Sequence, residues 1–522
     1  MGALPGESVA VVGSGIAGLS CAYLLASEGL RVTLLERWDE VGIDAHKVSV
    51  PRRGGGLLRL STPPRSFGRE YYPNLMELYA RAGVEVEQWS WAWAAFLVGR
   101  GAPFVRVDRR LTLFGYAVPS YIDLWRPLEA LRVSVDGVRW SRAARRDVTD
   151  ASLGGLTLEQ YVRRLGLSDT FVYMALLPTL SMVCTCSYRA CLDYPAALVV
   201  EFYAKTTTYG QYRTKFGTDD AVAKLTARVE RVRLGVTVDR VWRGRRDGFA
   251  RAQRERPTVE WLDEGGQRAS EQFDHVVLAT QANHALHVLA DLAEEEKALL
   301  AAFGHERSVV AIHRDESVMP GARQHWAPMS VGVLPTKELA KAGAMFTIHM
   351  NETFPEIEGE LFQTWNPVVP IAADKMVAPP FEFERPVMTA RSLEAVTALS
   401  ARVQGRGGLW LCGAWNAVRI PLQESGVMSA VDIVRRLVGR HDLAGGNFSY
   451  VETDHKCHHL VRNHTTVASE ELYRSNLGHA LGAGALLGLA LCAGLGLAFA
   501  TTHTQRTAFL SPWPWRRSST AS

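Results

Sequence analysis

Near the start of the chain, Gly13-Ser14-Gly15-Ile16-Ala17-Gly18 carries glycines at the spacing that lets a backbone close around phosphate groups. Gly13 allows a tight turn, Gly15 lets the backbone approach a pyrophosphate, and Gly18 lets a following helix pack on the preceding strand. The free N–H groups and positive dipole end of that helix attract the phosphates. Glu36, with Arg37 beside it, lies where a second strand would end. Its carboxylate suits two ribose hydroxyls and repels a 2′-phosphate. The chemistry is therefore recognition of a dinucleotide, FAD or NAD, and not NADP.

Elements that would position these residues are legible around them. Val9 to Val12 is a short apolar run closed by glycine, which reads as a buried strand. Leu19, Ala22, Tyr23 and Ala26 recur at helical spacing, Gly29 ends the helix, and Arg31 to Leu35 reads as the next strand. Alternating segments return at Val236 to Trp242, Thr258 to Leu262 and Phe273 to Ala279. A further strand, Leu409 to Cys412, leads through Gly413 into a helix over Ser425 to Leu437. Between Pro73 and Phe216 the pattern is mostly helical, with candidates at Leu158 to Leu165 and Phe171 to Leu180. The expected fold class is α/β, with a Rossmann-like, discontinuous cofactor domain in three parts (8–72, 217–300, 391–440). A mixed α+β substrate domain fills 73–216 and 301–390.

Composition narrows the function classes. A chain of 522 residues with 47% hydrophobic and 21% charged residues is an ordinary globular protein of two or three domains. A net charge of +4 over that length is too weak to argue for nucleic acid, so no such partner is expected, and the arginines between Arg100 and Arg146 read as a solvated surface. Seven cysteines make no disulfide framework. Cys184, Cys186 and Cys191 lack a second ligand pair at zinc spacing and read as reduced core residues. His455-Lys-Cys457-His458-His459 fits no standard zinc site, so no metal is expected. The first residues have neither a basic region nor a long apolar stretch, so no signal peptide is expected.

The other end differs. Ala480 to Ala500 carries no charge and is rich in Leu, Ala and Gly, a length that crosses a bilayer as one helix. This predicts a linker at 441–477, a transmembrane helix at 478–502 and a short tail at 503–522. Gly478-x-x-x-Gly482 and Gly484-x-x-x-Gly488 let such helices approach closely, which predicts self-association through them. The expected localisation is a membrane, with a single C-terminal anchor and the catalytic body on the cytosolic side.

Phe273-Asp-His-Val-Val-Leu-Ala279-Thr280 resembles a strand and turn that flavoprotein oxidoreductases place near their dinucleotide. Leu409 to Ala414, followed by Glu424-Ser425-Gly426, resembles their C-terminal flavin segment. Together with the glycine turn these resemble the flavin-containing amine oxidase and phytoene desaturase superfamily. Within it the likeness is to a branch of FAD-binding amine-oxidase-like oxidoreductases, carried by Tyr72-Pro-Asn-Leu75, Leu177-Pro178, Asp193 to Ala196, Gly217-Thr218, His349 to Asn351 and Gln363 to Pro367. The resemblance spans residues 8 to 438 and implies non-covalent FAD, since Val377 to Thr389 holds no cysteine anchor. It implies cofactor contacts at His46, Val238, Ala279, Thr280, Gly413, Ala414, Glu424, Ser425 and Gly426; for His46 an ordinary surface histidine is the competing reading. One departure stands out: the superfamily has two glycines where this chain has Gly42-Ile43, so Ile43 should crowd the backbone beside the pyrophosphate.

The resemblance and the anchor together favour an apolar, lipid-like substrate that is desaturated, saturated or isomerised by hydride transfer. An oxygen-dependent amine oxidase, with Trp89, Trp91 and Trp93 as an aromatic cage, is the first alternative. A non-enzymatic lipid binder of the GDP-dissociation-inhibitor type is the second. Catalytic residues are not assigned; Trp415, Asn416, Tyr71, Tyr72 and Arg65 are the candidates to border the reaction site.

Overall fold

The computed structural model describes residues 2–443 and 448, apart from 44–45, 63–64, 90–91, 99–102, 114–115, 123–126, 207–210, 245–255, 334–343 and 441. The chain divides into two compact units, Met1–His464 and Thr465–Ser522, and the described residues all belong to the first.

Five short strands form a parallel sheet in the order Arg231–Arg233, Arg31–Leu35, Ser8–Val12, His275–Leu278, Leu409–Leu411. Parallel strands are covered on both faces, which is why Val9, Ala10 and Val11, and likewise Val276 to Leu278, are fully buried. Helix Ile16–Ser27 joins the first two strands and is buried from Ala17 through Leu25. Helix Gln423–Val438 packs along it. The strands come from three separate stretches of chain, so this layer is assembled from distant sequence.

Thr237–Trp242, Thr258–Leu262 and Arg268–Gln272 make a small antiparallel sheet beside it. The largest sheet has eight strands, ordered Phe381–Val387, Gly304–His313, Phe362–Trp365, Met345–His349, Met329–Val333, Trp93–Leu97, Pro103–Leu113, Tyr116–Ile122. All its pairings are antiparallel except Met329–Val333 with Trp93–Leu97.

The segment expected to be mostly helical is therefore part sheet: Val86–Trp89, Trp93–Leu97, Pro103–Leu113 and Tyr116–Ile122 are strands. Aromatic and β-branched residues suit a pleated surface, and the helical reading overlooked that preference. Farther on, Leu158–Arg164 is a helix with a Thr157–Gln160 capping box. The single helix expected over Phe171 to Leu180 is interrupted by a wide π turn at Val172–Leu176 before Leu177–Cys184. Pro178 explains the break, because it lacks the N–H that would continue the ladder.

Among the described residues no helix is long and apolar enough to cross a membrane. Ala480 to Ala500, the linker from 449 onward, Asn447, and His455 to His459 lie outside the described residues.

Candidate dinucleotide site

The glycine turn is built by close backbone contacts. Gly13 has φ +96°, and a Cβ on it would lie 2.8 Å from the Ala279 carbonyl oxygen. A Cβ on Gly18 would lie 1.9 Å from the Gly13 carbonyl oxygen and 3.1 Å from the Ala279 Cβ. Ala279 is tied into the same layer, its N–H donating to the Val12 carbonyl at 2.8 Å. Only a residue without a side chain lets strand, turn and helix approach this closely.

The site is open where a ligand would need it to be. A Cβ on Gly15 would meet nothing within 4 Å. Gly15 is the N-cap of helix Ile16–Ser27 and supplies no side-chain cap, so the N–H groups of Ile16, Ala17 and Gly18 remain for an anion. These features fit a pyrophosphate.

Glu36 organises the rim. Ser14 donates to its Oε2 from both N–H (2.8 Å) and Oγ (2.6 Å), and the Trp38 N–H donates to Oε1 at 3.1 Å. Ser14 Oγ in turn accepts the Gly42 N–H at 2.5 Å. A carboxylate offers about four acceptor positions, so one on Oε1 is left for a ribose hydroxyl. Glu36→Ala is expected to weaken retention of the cofactor by about 1.5–3 kcal/mol, with a smaller loss for Glu36→Gln, which keeps one acceptor oxygen. Flavin content after dialysis measures this; unchanged content in both variants would remove Glu36 from the ribose site.

Ile43 stands at φ +71°, in the left-handed region that a β-branched residue avoids. The backbone thus keeps the path a glycine would take, at the cost of strain, and Arg65 donates to the Ile43 carbonyl.

His46 lies against the rings of Trp38, Phe381 and Phe383, with centroids 5.4, 5.0 and 5.0 Å away. Burial, then the charge of Arg37, lowers its pKa, so the imidazole is neutral at pH 7. Arg37 itself is exposed, its guanidinium over the Trp38 ring. Val238 sits two residues past Val236, whose N–H donates to the Glu36 carbonyl at 2.9 Å. The Thr280 carbonyl accepts from Trp415 Nε1 at 2.8 Å, and the Gly413 N–H donates to Ser429 Oγ at 3.2 Å. Ala414, half-buried, follows in the same turn. Gly426 abuts the first helix, since its Cβ would lie 3.0 Å from Ile16 Cγ2. Ser425 Oγ donates to the Ile420 carbonyl at 2.5 Å and so fixes its own turn.

Glu424 has its carboxylate committed within the protein. Its fully buried carboxylate accepts from the Asn74 N–H (3.1 Å), Asn74 Nδ2 (2.7 Å) and the Leu75 N–H (3.0 Å). It therefore caps helix Pro73–Ala82, whose own N-cap, Tyr72, provides no side-chain bond. Burial pushes its pKa up, and Arg419, 3.6 Å away, pulls it back. Trp415 and Asn416 also have structural partners, Asn416 Nδ2 donating to the Leu411 carbonyl at 2.7 Å. Tyr71 is buried with its hydroxyl unpaired.

Groups that sequence reasoning missed are those whose polar atoms are buried without a partner. Gln423, first in its helix, has both amide atoms unpaired, as has Gln363, and Trp365 Nε1 and Arg385 Nε join them. Gln363 and Trp365 lay in a segment singled out for its likeness, with no role attached; Arg385 carried no signal. Cys184, Cys186 and Cys191 are buried free thiols, with the Cys186 and Cys191 sulfurs 3.6 Å apart.

Residues 11–82 match the family model described as an NAD(P)-binding Rossmann-like domain. No curated protein matches the chain in sequence. Among solved structures, the cyclohexylamine oxidase of Brevibacterium oxydans IH-35A is similar at a TM-score of 0.50 and 14% identity, over 83% of this chain and 100% of that one. A fatty acid isomerase from P. acnes that produces CLA is similar at a TM-score of 0.56 and 15% identity, over 82% and 98%. A putrescine oxidase variant is similar at a TM-score of 0.53 and 12% identity, over 83% and 99%. The protein thus has a dinucleotide-binding Rossmann-like domain within a fold shared by two amine oxidases and a fatty acid isomerase.

Proposed function

We propose that this protein is an oxidoreductase that binds FAD non-covalently and acts on an apolar, lipid-like substrate. The observation that carries the reading is the open glycine turn facing Glu36, with the start of helix Gln423–Val438 set against the same first helix. In this reading the first-turn N–H groups hold the pyrophosphate and Glu36 holds the adenosine ribose. The positive end of the second helix favours negative charge on the ring. Bound there, FAD supplies a ring that accepts and returns a hydride, so desaturation, saturation or isomerisation needs little acid–base help from the chain. What the protein contributes is orientation and exclusion of water. The buried aromatic faces of Phe346, Trp365 and Phe383 support an apolar substrate. The likeness to a fatty acid isomerase supports the same class, whereas the two amine oxidases support oxygen-dependent amine oxidation as the second reading.

The proposal includes a tail anchor. Ala480 to Ala500 spans the bilayer once, the body faces the cytosol, and paired anchors self-associate through Gly478 to Gly488. An anchored enzyme meets a bilayer-borne substrate at high local concentration.

Full-length protein purified in neutral detergent is expected to be yellow and to release its flavin on acid precipitation. A colourless protein that fails to take up added FAD overturns the reading. Carbonate-washed membranes are expected to retain the protein; full-length protein in the soluble fraction, or a glycan on Asn447 of the sequon Asn447-Phe-Ser449, which a cytosolic body cannot receive, rules out the anchor topology.

A further inference from the structure

Arg385 is a half-buried cation to which no described carboxylate is paired. It lies on strand Phe381–Val387, on the same side as Phe381 and Phe383, since side chains alternate along a strand. Its side chain is half-buried, its Nε is buried without a hydrogen-bond partner, and among the described residues its guanidinium forms no ion pair with a carboxylate. The carboxylate best placed to pair with it belongs to Glu306, directly across the ladder. That carboxylate instead accepts from Ser187, N–H at 2.5 Å and Oγ at 2.7 Å. The acidic groups that act most strongly on Arg385 are Cys184, Tyr194 and Cys186, and none of these is a carboxylate. Burial, and then the like charge of Arg65, brings its pKa down to about 10, so it remains charged at neutral pH.

The surroundings tell what such a cation is for. Arg65 reaches the Ile43 carbonyl, beside the Gly42 N–H that binds Ser14, and its charge also acts on Arg385, so Arg65 stands near both. His46 touches Phe381 and Phe383 from that same side. Val310 pairs with both Trp365 and Phe381, which puts Trp365 and Gln363 on the face that carries Arg385. Trp365 stacks between Phe346 and Phe383, at 5.5 and 5.4 Å. Gln363, 0% exposed, has neither amide atom paired, and Trp365 Nε1 is also unpaired. Buried amide and indole groups left unpaired cost free energy, as does a cation drawn partly out of water with no carboxylate beside it. A fold retains that arrangement when a guest completes it.

We infer that Arg385, with Arg65 beside it, receives the carboxylate of the substrate, so that the substrate is an acidic amphiphile with its chain along the aromatic face. The inference rests on the flavin reading above and deepens it. A guanidinium matches a carboxylate with two parallel N–H donors, and the aromatic wall receives the attached hydrocarbon. The same two cations repel an alkylammonium ion, which turns the site away from amines. One other anion fits the chemistry, the pyrophosphate of the cofactor, and the experiment separates the two.

The probe is sodium decanoate, compared with 1-decanol as its uncharged equivalent. Both are titrated into the yellow full-length protein at one detergent concentration, with the flavin spectrum and tryptophan fluorescence as readouts. Decanoate is expected to bind at least about tenfold more tightly than decanol, the worth of one charge-assisted pair. Arg385→Gln is expected to bring decanoate to the level of decanol while the flavin content stays that of wild type. Arg385→Lys is expected to fall between. Equal binding of the two probes to wild type overturns the inference whether or not any variant folds. So does undiminished discrimination in Arg385→Gln, and so does loss of flavin in that variant, which assigns the cation to the cofactor. A colourless wild-type protein overturns the flavin reading instead, whereas a yellow protein without discrimination overturns only this one.

Discussion

Glu201→Ala is expected to lower the stability of the folded body by about 3–5 kcal/mol, the usual cost of leaving one charge of a buried pair uncompensated. Arg419, 4% exposed, donates to Glu201 through Nη2 (2.6 Å) and to the Tyr71 carbonyl through Nη1 (3.0 Å). Its guanidinium also lies 4.1 Å from the Tyr71 ring centroid, and Lys205 pairs with Glu201 at 2.8 Å. The cluster ties helix Ala196–Thr206 to the segment leading into helix Gln423–Val438. Through Glu424 it also holds the start of helix Pro73–Ala82. Urea denaturation of wild type and variant measures the difference, and equal midpoints would mean that the cluster contributes nothing.

The same residue sets an acid limit. Burial alone would raise the pKa of Glu201, but Arg419 and Lys205 outweigh it and hold it at about 2. A carboxyl whose folded-state pKa lies below its unfolded value stabilises the fold fully above the unfolded value. That stabilisation is lost as pH falls from about 4.5 toward 2. Glu201→Gln is expected to flatten this part of the stability profile, and an unchanged acid limb would contradict the assignment.

Gly18→Ala is expected to yield protein with little or no bound flavin. Its methyl group would lie 1.9 Å from the Gly13 carbonyl oxygen, so the turn must open or the helix must shift. Overpacking of this kind costs about 1–3 kcal/mol and moves the N–H groups that face the phosphates. About 1.4 kcal/mol is a tenfold change in affinity, so a loss of flavin beyond tenfold is expected. Gly15→Ala provides the contrast. The space beyond its Cα is open, so the fold is expected to melt like wild type while cofactor affinity falls. Visible absorbance per mole of protein, read beside thermal melts, separates the two. Full flavin content in Gly18→Ala would refute the close approach.

The flavin-type site was legible because its core is local. Val9 to Val12, the three glycines and Glu36 fall within one strand–turn–helix–strand unit, whose geometry follows from neighbours in the chain. Hydrophobic period and glycine placement determine that unit wherever it occurs. Even the strain at Ile43 was foreshadowed, as an isoleucine standing where a glycine belongs.

What only the tertiary structure decided depends on residues far apart in the chain. No local pattern signals that the Glu424 carboxylate caps helix Pro73–Ala82, about 350 residues earlier in the chain. Arg419 and Glu201 are separated by 218 residues, and neither carries a local signal of a buried pair. Trp93–Leu97 joins the large sheet only because Met329–Val333 offers it an edge. Arg385 looks like any surface arginine until packing buries its Nε and the neighbouring carboxylate turns to Ser187. Periodicity and turn chemistry act over a few residues, so the sequence by itself determined the dinucleotide unit. Burial and charge pairing are sums over the whole packed chain, so the fold alone decided which polar groups found partners and which were left for a guest.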